Sequence, residues 1–453
     1  MRRFETRKAS ILLLFSVVLM ISGCFENKPR SNELSGDGSR KLKIYYPYVE
    51  DFHVKYGTLF NSRYPNIEIE VIQSTDAGDG EFESASPLEK LNRMLERQKP
   101  DVLILNQDEY NELSSLGKLY DLEPIMKQEQ FDVEGYAPGV IDMLRERGNG
   151  SLFGLTTTIN ARFLYYNVDM FKDKHMDLPV NSMQWRELIE LAAPFHNGRT
   201  DEKATYGFID NEASDVMWSI STTMGLQLFD AEGKKVLLQS DGWKQAFQLT
   251  VDAIQKKAVS VRPSGQSGDP GSRYIMDMKK FLNGDIPMII SDSSFASRIG
   301  ESSKMNWGMV TAPINPARMD ESTMTYATEI FAIAANSNNK QDAWAFVSFM
   351  NGVEMAKIVS RTGGSDLPAR MEYLPRSLER DREILYMLKP SSHRVNEQWK
   401  KNIPESFYQT YTPMLNEALH AIASREKTLE QAITELEQQA QIKLDLTRNT
   451  TDR

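Results

Sequence analysis

The chain has 453 residues and a formal net charge of −10, with 26% charged and 9% aromatic residues, proportions ordinary for a globular protein. Residues 1–23 hold four basic residues and one acid, so the remainder carries −13, which argues against a nucleic-acid partner and against a polybasic grip on anionic lipid. A single cysteine excludes a disulfide framework, and five scattered histidines with no HExxH spacing point away from metal chemistry and from a metal cofactor.

In chain order, Arg2, Arg3, Arg7 and Lys8 precede an apolar run at 11–21 that only Ser16 interrupts. The run is shorter than the ~20 residues that span a bilayer and fits the h-region of a secretory signal peptide. Ile21-Ser22-Gly23-Cys24 then resembles a bacterial lipobox, in which small residues suit a peptidase cleft and the thiol is alkylated with diacylglycerol. Two acyl chains, at ~0.8 kcal/mol per buried methylene, hold a protein on a membrane where one would not. Residues 1–23 therefore read as a lipoprotein signal peptide and Cys24 as the lipidation site. The alternatives are an ordinary secreted protein with a chance cysteine, or a catalytic thiol, for which the end of a signal sequence is an unsuitable place. Residues 24–40 are polar and aperiodic, a flexible linker after Cys24.

Structure is expected from Lys41. KLKIYY (41–46) reads as a strand, 52–63 as a helix with Phe52, Tyr56, Leu59 and Phe60 on one side, and NIEIEVI (66–72) as a strand burying Ile67, Ile69 and Val71. Ser86-Pro87-Leu88-Glu89 opens a helix with a capping box and proline at its first position. VLIL (102–105) is apolar throughout, as buried parallel strands are. FLYYN (163–167), PMII (287–290) and WGMVTAP (307–313) continue the strands, and 182–192 and 341–352 the helices, the latter with Ala343, Phe346, Val347 and Met350 inward. Residues 263–272 read as a surface loop. Thr428-Leu429-Glu430-Gln431 forms a second capping box before an amphipathic face of Leu429, Ala432, Ile433, Leu436 and Ala440. This alternation of strand and helix is α/β grammar.

Catalytic motifs do not emerge: the chain has no G-x-S-x-G, no P-loop and no G-x-G-x-x-G. A series of phrases does. YPNIEIEV (64–71), KPDVLIL (99–105) with LGKLYDLEP (116–124), and LYYNVDMFK (164–172) with MQWRELIELA (183–192) come first. YGF (206–208), FLNGDIPMI (281–289), NNKQDAWAFVSFM (338–350), GGSDLPAR (363–370) and TLEQAITELEQQAQ (428–441) follow. Together, over residues 41–445, they resemble family 1 of the extracellular solute-binding proteins, the carbohydrate-type substrate-binding lipoproteins of ABC transporters. Packing explains most of these phrases. Trp185 and Trp344 belong to amphipathic helix faces, and Asn167 and Asp169 suit a turn and the cap of the next helix.

The resemblance implies a two-lobed, periplasmic-binding-protein-like α/β fold of type II, each lobe a mixed sheet flanked by helices, with a hinge between them. The expected lobes are 41–157 plus 311–360 and 158–310 plus 361–453. It further implies a monomer without catalytic residues, tethered to the extracytoplasmic face of the cell membrane, that captures a sugar or oligosaccharide and delivers it to ABC permease subunits. Ligands of open sheets lie beyond the carboxyl ends of strands. The candidate ligand contacts are accordingly Tyr46, Tyr48 and Glu50; Asn106, Gln107 and Asp108; Asn160; Asp292, Ser293 and Phe295; Glu329; Gly364 and Asp366; and Phe407, Tyr408 and Tyr411, the last three where relatives supply a stacking aromatic. Where many sugar binders carry Trp after the PMII-like strand, this chain has Ser293, Ser294 and Phe295. Two other readings stay open: a surface enzyme acting on polysaccharide through a carboxylate pair, and a sensory or scaffold lipoprotein that keeps the binding fold.

Overall fold

The computed structural model describes residues 40–73, 87–199, 204–209, 212–261, 270–302, 305–362, 366–391, 403 and 405–451. The expected signal peptide, Cys24, nearly all of the expected linker, Ser86 of the expected first capping box and Gly364 lie outside them. Ten strands make up two five-stranded sheets: β1 (Arg40–Tyr45), β2 (Ile67–Ile72), β3 (Val102–Leu105), β4 (Gly154–Thr156), β5 (Thr158–Asn167), β6 (Met288–Asp292), β7 (Trp307–Thr311), β8 (Thr325–Ala327), β9 (Ile330–Ile333) and β10 (Leu367–Pro368). The fold is α/β and two-lobed.

The first sheet has the order β2-β1-β3-β9-β4. β3, the VLIL run, is buried at all four positions because β1 flanks it in parallel (Ile44 opposite Val102) and β9 antiparallel (Ile333 opposite Val102). β2 lies at the edge, so Ile67 and Ile72 are buried while Ile69 and Val71 are only half-buried. Against this sheet pack the helical segment 49–63, which contains a π-helical turn at His53–Gly57, and helix Lys340–Met350. The expected inward faces do pack: Phe52 stacks on Phe346 at 6.0 Å, and Ala343, Phe346, Val347 and Met350 are fully buried.

β5 organises the second sheet. Its first residues pair with β8 (Asn160 opposite Tyr326) and β10 (Ile159 opposite Leu367), and its later ones lie between β6 and β7. The burial pattern follows from this. Thr158 to Arg162 alternate between faces, whereas Phe163, Leu164 and Tyr165 are all buried because both faces are covered there. Leu164 joins the core formed by helices Trp185–Ala192, Ala213–Thr223, Asp241–Gln255, Glu405–Ala423 and Leu429–Thr451. Phe163 and Tyr165 join the other core.

Several local expectations meet their geometry. Asn167 Oδ1 accepts from the amides of Asp169 (3.0 Å) and Met170 (3.2 Å), a helix N-cap. Thr428 and Gln431 exchange reciprocal bonds at 3.1 and 3.3 Å. The surface-loop reading of 263–272 needs correction at its end, where helix Pro270–Leu282 begins; the rest of it lies outside the described residues. Helix Glu405–Ala423 runs through Pro413, a residue whose missing N–H ordinarily breaks a helix. Among the described residues, no helix is long and apolar enough to cross a membrane.

Candidate functional site

A cavity of about 440 Å³ is lined by several separate elements. Gln107 and Arg147 come from helices Gln107–Ser115 and Val140–Arg147, and Thr222 to Gly225 from the end of helix Ala213–Thr223. Pro313, Asn315, Arg318, Glu321, Thr323, Thr325 and Tyr326 come from the chain that leaves β7 and returns through β8, and Ser391 completes the wall.

Each wall has a local cause. After β3, Asn106 Oδ1 accepts from the Glu109 amide and Glu109 Oε2 from the Asn106 amide, both at 2.9 Å, a closed capping box that starts helix Gln107–Ser115. Gln107 is thereby fixed in the first turn. Helix Val140–Arg147 is tied alongside by the Tyr110 hydroxyl, which donates to the Leu144 carbonyl at 2.9 Å. It stops at Gly148, where a Cβ would fall 2.1 Å from the Ser151 carbonyl oxygen. This leaves Arg147 in the last helical position. With the amides turned carbonyl-first, Gln107 Oε1 accepts from its guanidinium at 2.8, 2.9 and 3.1 Å and Asn111 Oδ1 at 3.2 Å.

In the opposite wall, helix Ala213–Thr223 ends at Gly225, whose φ of 69° is the left-handed conformation that favours glycine. The Thr223 hydroxyl accepts from Trp185 Nε1 (3.0 Å) and donates to the Ser219 carbonyl (2.8 Å), so core packing holds this corner in place. Glu321 Oε2 accepts from Arg318 Nη1 (3.4 Å) and from the Ser391 hydroxyl (2.8 Å). Tyr326 lies on β8 opposite Asn160, 40% exposed, with its ring on the cavity. The lining thus combines guanidinium groups, which only donate, a carboxylate, which only accepts, hydroxyls that do both, and one aromatic face.

The expected contacts divide into groups. Gln107 lines the cavity. Asn106 spends its side chain on the cap, and Asp108 is exposed in the same turn. Tyr48, at 66% exposure, and Glu50 lie on the surface after β1. Tyr46, Asn160, Glu329 and Asp366 come close together, at the place where the chain passes between the sheets. There Glu329 accepts from the hydroxyls of Tyr46 (2.6 Å) and Tyr56, and Asp366 accepts from Asn160 Nδ2 and the Thr328 hydroxyl, both at 3.0 Å. Burial, reinforced by the Glu329 carboxylate, pushes both phenols well above the usual tyrosine range.

Asp292 and Ser293 serve the start of helix Ser294–Ser302. Asp292 Oδ1 accepts from the Ser294 amide at 2.9 Å, and Ser293 is buried. The aromatics expected to offer faces to a solute pack in the core instead. Phe295 meets Tyr165 at 5.0 Å and Phe281 at 5.6 Å, and Phe407 stacks on Tyr411 at 5.4 Å. Tyr408 is half-buried beside Phe229 and Phe407. Gly364 lies outside the described residues.

Arg147, Thr222 to Gly225, Arg318, Glu321 and Tyr326 were not anticipated. The one sequence signal for them is the glycine that closes a helix after Arg147 and after Thr223.

A family model described as bacterial extracellular solute-binding protein matches residues 55–382, well over half of the chain. The chain belongs to the bacterial extracellular solute-binding proteins. Its place is therefore extracytoplasmic. This solute-binding protein is 22% identical over 261 residues to the arabinooligosaccharide-binding protein of Bacillus subtilis (strain 168), an alignment that spans 56% of each chain, so little more than half of that relative's length. Among solved structures, it is similar to the sugar-binding protein MalE from Xanthomonas citri (TM-score 0.63, 17% identity, 91% of this chain and 99% of that one). It is also similar to a sugar transporter from Rhizobium etli in an open conformation (TM-score 0.58, 20% identity, 88% and 98%). At these identities the likeness concerns the two-lobed fold, and the relatives are named as binders and transporters, not as enzymes.

Proposed function

We propose that this solute-binding protein captures a sugar or oligosaccharide between its lobes and passes it to the permease of an ABC importer, while a lipid on Cys24 holds it at the membrane. The observation that carries this reading is the composition of the cavity. A sugar hydroxyl both donates and accepts, so a wall that interleaves Arg147 and Arg318 with Glu321 and threonine hydroxyls can satisfy it from either side. The exposed ring of Tyr326 offers an apolar face for the C–H patch of a pyranose or furanose. The saccharides named for the relatives support the same class of ligand. Bound ligand would favour the closed arrangement of the lobes, which a permease can recognise.

Calorimetric titration against arabino-, malto- and xylo-oligosaccharides tests this. Binding is expected for one series, and Tyr326→Ala should weaken it about tenfold, or ~1.4 kcal/mol. Absence of binding across neutral saccharides would overturn the proposal. Hydrolysed product in the same mixtures would favour the polysaccharide-active enzyme.

A further inference from the structure

Among the described residues, three charged side chains line the cavity: Arg147, Arg318 and Glu321. Two are cations and one is an anion, in a protein that carries −13 beyond residue 23. The cavity therefore has the sign opposite to that of the molecule around it. Glu321 is engaged within the lining itself, accepting from Arg318 Nη1 at 3.4 Å and from the Ser391 hydroxyl at 2.8 Å. Arg147 is anchored by amides. Gln107 Oε1 accepts from its guanidinium at 2.8 to 3.1 Å and the Oδ1 of buried Asn111 at 3.2 Å, and an amide oxygen occupies N–H groups without bringing a charge. The carboxyl end of helix Val140–Arg147 favours a cation. That accounts for an arginine at this position but not for its place on the cavity wall.

A solute that fills the cavity takes water from both guanidinium groups. Desolvating a charge is costly unless an opposite charge and hydrogen bonds replace the water. The lining supplies one carboxylate for its two guanidinium groups, so an anionic solute completes the balance and a neutral one does not. A carboxylate also presents two coplanar oxygens, the shape that the guanidinium fork matches. We infer that the preferred solute is an acidic saccharide, an oligosaccharide bearing a uronate. Arg147, positioned by Gln107 and Asn111, receives its carboxylate, while Tyr326 and the Arg318–Glu321 pair take the neutral remainder.

This inference rests on the proposed saccharide binding, and the test separates the two. The full chain carrying Cys24→Ser is titrated calorimetrically with matched neutral and acidic pairs. One pair is xylotriose and the same trisaccharide with a glucuronyl branch. The others are maltotriose and arabinotriose, each against the form whose terminal primary alcohol is oxidised to a carboxylate. In the series that binds, the acidic member is expected to bind about ten- to hundredfold more tightly than its neutral partner, the range of one charge-assisted contact. Arg147→Gln should bring that ratio close to one, and Arg147→Lys, which keeps the charge without the fork, should retain part of it. Equal affinity within every pair, or tighter binding of the neutral member, would overturn the inference and leave saccharide capture standing. A ratio undiminished in Arg147→Gln would overturn it as well. The parent's own ratio decides the matter should Arg147→Gln fail to fold. No binding by any member would sink the proposed function, and this inference with it.

Discussion

Arg370→Ala should destabilise the protein by about 3 kcal/mol. The side chain is 4% exposed. Its Nε donates to the Asn351 carbonyl at 3.0 Å, Nη2 to the Asp132 carbonyl at 2.6 Å and Nη1 to Asp132 Oδ2 at 2.9 Å, with the guanidinium 4.6 Å from the Tyr136 ring centroid. Losing the two carbonyl bonds costs about 1 kcal/mol each, and the desolvated ring contact about 1 kcal/mol more. The carboxylate adds less than about 1 kcal/mol, because the Asp132 side chain is 54% exposed and water replaces the lost partner. Burial works to raise the Asp132 pKa, but the Arg370 bond and the amides of Glu134 and Gly135 outweigh it and hold the carboxyl below its usual value. A folded pKa below the unfolded one gives stability that is full above the ordinary aspartate range, near 3.9, and is lost as pH falls through the folded value. The gap between parent and variant, read from urea midpoints, should therefore narrow slightly below about pH 4 and otherwise persist. Arg370→Lys should recover only part of it, since an ammonium cannot reproduce the planar fork. A loss under 1 kcal/mol at pH 7 would refute the reasoning.

Two further predictions are independent of that one. Cys24→Ser should leave the circular dichroism spectrum unchanged and move the protein from the membrane fraction to the soluble fraction; retention on the membrane would refute the lipid anchor. Gly148→Ala, with its Cβ placed 2.1 Å from the Ser151 carbonyl oxygen, should cost about 1–3 kcal/mol in thermal or urea unfolding and displace Arg147; an unchanged midpoint would show that the turn yields freely.

Periodic and capping features were legible because their causes are local. The inward face of helix Lys340–Met350 follows from the spacing of Ala343, Phe346, Val347 and Met350, and the Asn167 cap from one short side chain at a strand end. The cavity was not legible because its walls meet only in three dimensions. Arg147 reaches Gln107 through the docking of two helices, and Tyr326 sits on a strand of three residues, too short for any alternation to show. The aromatics fail for a related reason. Phe295 and Phe407 stand beside elements expected to end at a ligand, but the sequence does not say which side of each helix its neighbours cover, and in both cases that side is core. Pro413 marks the limit of a local rule: the packing of Phe407, Tyr411, Leu415 and Leu419 on one face sustains the helix across it.

β5 has a consequence for how this gene can vary. Both of its faces are packed from Phe163 to Tyr165, and along its length it pairs with four other strands. A single codon inserted or deleted within it would swap the outward and inward sets, sending Tyr165 to the side now held by Leu164. Length changes should therefore accumulate in the surface connections of related genes and be purged from this one ten-residue stretch.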